Sequence, residues 1–418
     1  MPSPAPAPAD GPLPPACDVL IIGAGPAGSA CAAALAQAGH DVCLIDQHDF
    51  PREKVCGDGL IPDAHAALAR LGVLEAVMAR ATPVSHVRCV APRGGQVDVP
   101  GALAVLPRRE LDHLLVENAR QRGARVVTPV RFEATVEADG RVIGARLRHR
   151  DAVVEMRARW VVLATGAGVQ PLVATGLCTR RTPSGIAVRG YVRNPAQAGR
   201  QTTMDIVWDR ALRPGYGWVF PCGPDTWNIG VGAFFRRDAR GRGQAADANL
   251  RRMFDDFTRL YPPAAALMRG GTLQGDLRGA PLRCALDGAR PGRPGLLAAG
   301  EAIGSTYDFT GEGIGKALET GLLAADTLRA HGLGTGAASA ADAAVLSAYE
   351  AHLTALRPRF ALYERANQVN RHPWLADLVV WRARRSPALV RRMSGVLDET
   401  VNPGNLVSVR GILRLLTR

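Results

Sequence analysis

Unbroken apolar runs separated by helix-like segments mark both ends of the chain, and a two-residue rhythm fills its middle. Cys17–Gly23 (CDVLIIG), Val42–Asp46 (VCLID), Arg159–Thr165 (RWVVLAT) and Gly295–Ala299 (GLLAA) are apolar throughout, which predicts strands buried on both faces. Pro26–Ala38 reads as an Ala-rich helix stopped at Gly39. Residues 62–80, Glu110–Arg122 and Gly311–Ala330 read as further helices, and 341–418 as helical and basic. Runs at 130–137, 141–149 and 152–158 predict a β-meander turning at Asp139-Gly140. Gly185–Arg193, Thr202–Trp208, Tyr216–Phe220 and Trp227–Phe235 predict an antiparallel sheet, covered by a helix around 245–260. The order implies one discontinuous α/β domain (17–80, 105–182 and 280–335) interrupted by a sheet domain (81–104 and 183–279). A helical region follows (341–418), and a Pro/Ala-rich disordered tail precedes it all (1–16).

Composition adds little to this picture but excludes several classes. The chain has 418 residues, 47% of them apolar, and no apolar run of membrane-spanning length. Net charge is +13, carried almost wholly by arginine; the only lysines are Lys54 and Lys316. The arginines are dispersed rather than striped, so nucleic acid is not an expected partner. The eight cysteines form no CxxC pair or His/Cys cluster, so no metal site is expected and reduced thiols in the cytoplasm are.

Chemistry concentrates in three segments. Gly23-Ala24-Gly25-Pro26-Ala27-Gly28 joins a strand to a helix, with Gly23 for the tight turn, Gly25 for close approach of a pyrophosphate, and Gly28 for helix–strand packing. The helix N-terminus offers N–H groups and positive partial charge to phosphates. Asp46, ending the second strand, is placed to accept ribose hydroxyls. This pattern alone does not separate a nicotinamide from a flavin dinucleotide. The second segment, Phe50-Pro51-Arg52-Glu53-Lys54-Val55-Cys56-Gly57-Asp58-Gly59, has two cations and a Gly-rich turn suited to lie along an extended dinucleotide. The third runs from Gly300-Glu301 through Tyr307, Asp308, Phe309, Thr310, Gly311, Glu312, Gly313 and Ile314 into Lys316. It opens a helix whose N–H groups would face a ring that becomes negative on reduction.

Together GAGPAG, FPREKVCGDG and GEAIGSTYDFTGEGI resemble the geranylgeranyl reductase family, within the larger group of p-hydroxybenzoate hydroxylase-like flavoproteins. The resemblance covers about 17 to 335 and includes Tyr216-Gly217-Trp218-Val219-Phe220-Pro221, similar to the family's YxWxFP segment. It implies FAD and a mixed α/β (α+β) fold. That fold is a Rossmann-like, glutathione-reductase-type FAD domain with an inserted antiparallel substrate sheet and a helical C-terminal region. It implies cofactor contacts from Gly23, Gly25, Pro26, Ala27, Gly28, Asp46, Arg52, Lys54, Cys56, Gly57, Thr165, Gly166, Gly300, Glu301, Gly311, Glu312, Gly313 and Ile314. Arg108 or Arg109 adds a further contact, and Tyr216, Trp218 and Phe220 would line the substrate channel. The chain departs from the family at Glu301 (usually Asp), Asp308 (usually Pro) and Thr165 (often Asp in relatives).

The activity so implied is reduction of C=C bonds in a prenyl chain of a lipid or isoprenoid, with Cys56, Asp308 and Tyr307 as proton-path candidates. NAD(P)H and ferredoxin both stand open as electron donor. Two rivals share the same motifs: a flavin monooxygenase or halogenase, and an electron-transfer flavoprotein serving a quinone or partner protein. The segment 407–418, with Trp374, Trp381 and the arginines of 382–392, suits either docking on the protein or a peripheral contact with the inner membrane surface.

Overall fold

A computed structural model of the chain describes residues 12–237, 243–244, 248–334 and 338–397. The expected tail at 1–16 falls mostly, and the segment 407–418 wholly, outside the described residues. The fold is mixed α/β, built on two large sheets.

In the first sheet, Leu296–Ala298, Ala152–Leu163, Ala16–Ile22, Val42–Ile45 and Arg125–Val127 lie side by side in that order, all parallel. Leu20, Ile21, Cys43, Leu44 and Ile45 have no exposed surface, as continuous apolar strands require. Helix Pro26–Gln37 packs between Arg108–Gln121 and Ile314–Thr327. Its approach to Ile314–Thr327 is set by Gly321, where a Cβ would stand 2.2 Å from the carbonyl oxygen of Ala27. The meander turns at Asp139-Gly140, both with positive φ (50° and 75°). Its third strand is not separate from the buried strand expected at 159–165. Ala152–Leu163 is one continuous strand whose first half pairs with Arg141–His149 and whose second half pairs with Ala16–Ile22. No turn residue stands between the two halves, so the break placed at 158 is corrected.

The second sheet runs Thr272–Leu273, Gly185–Arg193, Thr226–Phe234, Gly215–Pro221, Met204–Val207, Thr82–Val90, Gln96–Val105, Gly59–Leu60, with Arg278–Leu282 also against Gly185–Arg193. It is not wholly antiparallel: Met204–Val207 runs parallel to Thr82–Val90, where two distant chain segments meet. The strands of the hairpin Thr82–Val90/Gln96–Val105 were not anticipated, although Gln96-Val97-Asp98-Val99 alternates polar and apolar. The stretch 62–80 is two helices, Pro62–Arg70 and Leu74–Met78, divided at Gly72 (φ 70°).

Strand Gly215–Pro221 sorts its side chains by alternation. Val219 joins a core under helix Leu250–Leu260 with Phe254 and Phe257, whereas Tyr216, Trp218 and Phe220 face the opposite way. Beyond the sheets, Ala338–Ala366 packs on the first core through Val345, Tyr349, Leu353, Phe360 and Tyr363. Trp374–Ala383 and Pro387–Leu397 cover the Thr82–Val105 hairpin.

Because the atom facing Gly321 is backbone, neither helix can yield locally. Gly321→Ala should destabilise the fold by about 1–3 kcal/mol, seen as a lower urea midpoint at unchanged m-value.

Candidate cofactor and substrate site

The three glycines of the first turn differ in what surrounds them. At Gly23 (φ 104°) a Cβ would lie 2.4 Å from the carbonyl oxygen of Ala164, and at Gly28 one would lie 1.8 Å from that of Gly23. Both positions are closed by the chain itself. Gly25 is open: its nearest neighbours are Nη2 of Arg52 (3.8 Å) and Nη2 of Arg108 (3.9 Å). A backbone without side chain, capping helix Pro26–Gln37 and facing two guanidiniums, is an anion cradle. Pro26 and Ala27 form the buried first turn of that helix.

A relay of charges holds the cradle. Asp46, buried, accepts from the Ala24 N–H (2.9 Å) and the His48 N–H (3.0 Å). Arg52 bridges Asp46 (3.5 Å) and Asp112 (3.1 Å). Arg108 makes a bidentate pair with Asp112 at 2.6 and 2.8 Å. Of the two neighbouring arginines, Arg108 is buried at the cradle and Arg109 is exposed. Asp112, fully buried, was not anticipated; its only signal is its place four residues after Arg108 on one helix face.

The Cys56-Gly57-Asp58 turn joins the cradle to the second sheet. Asp58 is fully buried with φ 66°. Its Oδ1 accepts from the Arg108 backbone N–H (3.2 Å), and its Oδ2 accepts from the Tyr191 hydroxyl (2.6 Å) and Asn228 Nδ2 (2.7 Å). Asn228 also donates to the Cys56 carbonyl (2.7 Å) and accepts from Trp218 Nε1 (2.9 Å). Arg189 holds the preceding residues through Glu53 (2.7 Å) and the carbonyl of Lys54 (3.3 Å). Burial raises the Asp58 carboxyl to about 6, against its hydrogen bonds from Tyr191 and Asn228. Burial also pushes the half-buried Cys56 thiol up, opposed by the positive charges of Arg108 and Lys54.

Gly57 rests against aromatic rings: a Cβ there would meet Phe220 at 3.2 Å and Trp218 Nε1 at 3.6 Å. Tyr216, Trp218 and Phe220 succeed one another edge to edge, with centroids 6.3 and 6.5 Å apart. The Tyr216 hydroxyl donates to the Thr310 carbonyl, and a Cβ on Gly311 (φ 68°) would lie 2.8 Å from the Tyr216 oxygen. The aromatic strand therefore spans from the Cys56 turn to the Phe309–Gly311 loop.

On the remaining side, Gly300 (φ 66°) closes on Ala27, and Glu301 accepts from the Arg283 N–H (3.4 Å) and from Thr306 (3.4 Å). Glu301 also approaches Gly166, whose Cβ position is 3.9 Å from its Oε2. Gly313 caps helix Ile314–Thr327, and Glu312 and Ile314 lie at its entry. Two proton-path candidates are placed differently from Cys56. Tyr307 has no exposed surface; its ring stacks on Tyr363 (centroids 3.8 Å) and meets Phe360 at a tilt (4.7 Å). It packs against the C-terminal helix, with Lys316 Nζ 5.7 Å from the centre of its ring. Asp308 is buried against the same region, where Asn367 Nδ2 reaches its Oδ2 at 3.4 Å.

An FAD binding domain model matches residues 16–183. Menaquinone reductase of Mycolicibacterium smegmatis is 33% identical over 76% of this chain and 77% of its own. The chain belongs to the geranylgeranyl reductase family of FAD-dependent oxidoreductases. Within that family, digeranylgeranylglycerophospholipid reductase 2 of Methanopyrus kandleri is 29% identical over 74% of this chain and 76% of its own. A geranylgeranyl bacteriochlorophyll reductase-like protein of Thermoplasma acidophilum shares the fold at TM-score 0.70, with 22% identity and 96% of each chain covered. A flavin-dependent brominase shares it at TM-score 0.72, with 19% identity, covering 96% of this chain and 97% of its own. The protein is thus an FAD-dependent reductase of the geranylgeranyl reductase and menaquinone reductase type.

The residues present fit FAD. The cradle at Gly25 has room, the buried Thr165 Oγ1 and Arg52 Nε have no partner among the described residues, and the N-terminus of Ile314–Thr327 adds open N–H groups. Since a side chain at Gly25 meets open space, Gly25→Val should fold with an unchanged circular dichroism spectrum and retain no flavin absorbance. A yellow, loaded Gly25→Val protein would refute the cradle. Asp58 yields a pH test. Its folded value (about 6) exceeds its ordinary 3.8, so the stability it adds is full below about pH 4 and is lost as pH rises through about 6. Urea unfolding of the FAD-free protein should show this loss, about 3 kcal/mol, as the difference in slope between wild type and Asp58→Asn.

Proposed function

We propose that the enzyme reduces C=C bonds of a prenyl chain in a lipid or isoprenoid. The observation that carries this reading is the wall of Tyr216, Trp218 and Phe220 against the Cys56-Gly57 turn. It brings neutral aromatic surface to the residues that reach the cofactor cradle, and an isolated alkene offers no charge for a polar site to grip. The names of the curated relatives support the same substrate class. Gly25, Arg52, Arg108, Asp46, Glu301 and Gly311–Ile314 are the residues that would hold FAD, which when bound would supply the two-electron reduction.

The chain's own residues then have separable tasks. The aromatic wall excludes water and fixes one face of the substrate, so orientation supplies much of the rate effect. Cys56 holds a proton: burial keeps its sulfur in the thiol form at neutral pH, and Arg108 and Lys54 ease its loss. A carbon receiving that proton leaves a thiolate beside Arg108, which solvent can reprotonate because Cys56 is only half-buried. Asn228 fixes the turn by bonding the Cys56 carbonyl and Asp58 together. Asp308, packed beside Asn367, is an alternative source.

Anaerobic incubation of dithionite-reduced protein with a geranylgeranyl lipid should yield product heavier by whole pairs of hydrogens, with flavin colour returning in step. Colour that returns only with oxygen would move the assignment to the monooxygenase and halogenase reading. Cys56→Ala should keep its FAD and its reduction by dithionite, yet lower the rate of alkene reduction by about 10²- to 10⁴-fold, the range for a lost general acid.

A further inference from the structure

Helices Trp374–Ala383 and Pro387–Leu397 have two unlike faces. One buries Leu375, Ala376, Val380, Ala383 and Leu389 against the hairpin core of Val84, Val97 and Leu103. The other leaves Trp374 55% and Trp381 46% exposed, two turns apart on one stripe with the half-buried Leu378 between them. The other tryptophans, Trp160, Trp208, Trp218 and Trp227, are all buried. Arginine surrounds the exposed pair: Arg384, Arg385, Arg391 and Arg392 are exposed, Arg382 is half-buried, and Arg385 lies 4.8 Å over the Trp381 ring. The sole acidic residue from 374 to 397 is Asp377, which already accepts from the Arg93 N–H (2.9 Å).

We propose that this face docks on the surface of an anionic lipid bilayer. Tryptophan rings partition to the headgroup level, and clustered arginines supply the complementary charge. No helix among the described residues is long and apolar enough to cross a membrane, so the contact is peripheral. The same layer is bonded to the site. Asn370, just before these helices, accepts from Trp208 Nε1 (2.8 Å) and donates to the Phe309 carbonyl (3.1 Å). Phe309 in turn stacks on Trp208, and Trp208 lies 6.1 Å from Tyr216. Docking would therefore set the end of the aromatic wall beside the lipid phase. The purpose of the contact rests on the prenyl-lipid reading; the contact itself does not.

Co-sedimentation of the FAD-loaded full chain with phosphatidylglycerol vesicles tests it, with phosphatidylcholine vesicles as control. Binding is expected to the anionic vesicles alone and to fall with added salt. Replacing arginines 384, 385, 391 and 392 by glutamine should weaken it about fivefold for each residue. Trp374→Ser with Trp381→Ser should abolish it, with FAD content retained as evidence of folding. A loaded protein that stays in solution with anionic vesicles overturns the proposal. So does sedimentation that these substitutions leave unchanged, or a concentration-dependent dimer that the tryptophan substitutions dissolve. Vesicle binding without prenyl reduction would refute the proposed substrate and leave this face standing; reduction without binding would do the reverse.

Discussion

A carboxylate with no access to water must be met by donors, because an unmet buried charge costs several kcal/mol. Asp58 is such a group, and the donors that meet it come from separate parts of the chain. Tyr191 and Asn228 belong to the second sheet, and the Arg108 backbone N–H opens a helix of the first domain. The turn that carries Asp58 is thereby fixed relative to both. Cys56 on one side and Gly57 against Phe220 are positioned by the same bonds. Where the Cys56 thiol stands between the arginine cradle and the aromatic wall follows from how one aspartate is satisfied.

The cofactor half of this arrangement was legible from spacing, because its constraints are local. Gly23, Gly25 and Gly28 must lie within one turn, and the parallel strands declare themselves by having no polar face. What escaped the sequence is the long-range pairing. Arg52 meets Asp112 across 60 residues, Tyr191 meets Asp58 across 133, and Asn228 meets it across 170. No periodicity encodes such partners. The packing of Tyr307 was hidden in the same way: its ring meets Phe360 and Tyr363, far along the chain. The hairpin at 82–105 went unread because the alternation is brief: Gln96–Pro100 alternates exposed and buried, but in Thr82–Val90 the partly buried His86, Arg88 and Cys89 break the pattern.

The two halves of the site differ in how they treat charge. Around Gly25, every arginine is balanced: Arg52 by Asp46 and Asp112, Arg108 by Asp112. Two guanidiniums and two carboxylates cancel in formal charge, so what the cradle offers a pyrophosphate is N–H donors, from the helix N-terminus and from guanidiniums whose side chains are held fixed. Across the Cys56 turn the polar atoms are already consumed. Trp218 Nε1 is spent on Asn228 and the Tyr216 hydroxyl on the Thr310 carbonyl. A ring whose only polar atom is internally bonded presents just its hydrocarbon face.

That asymmetry bears on selectivity. A polar substrate entering along the wall would lose water and find no donor or acceptor in return, a cost of about 1–3 kcal/mol for each unmatched group. An isoprenoid chain loses nothing of the kind and gains from burial. On the proposed function, the wall would discriminate by withholding hydrogen bonds, while the carbon to be reduced would be selected by reach to the Cys56 sulfur. Selection of this sort tolerates chains of different length and head group, and depends mainly on the Trp218–Asn228–Asp58 chain of bonds staying closed. Opening it at Asn228 would expose an indole N–H to the channel and loosen the turn that holds the thiol, so apolar selectivity and proton delivery share one structural cause.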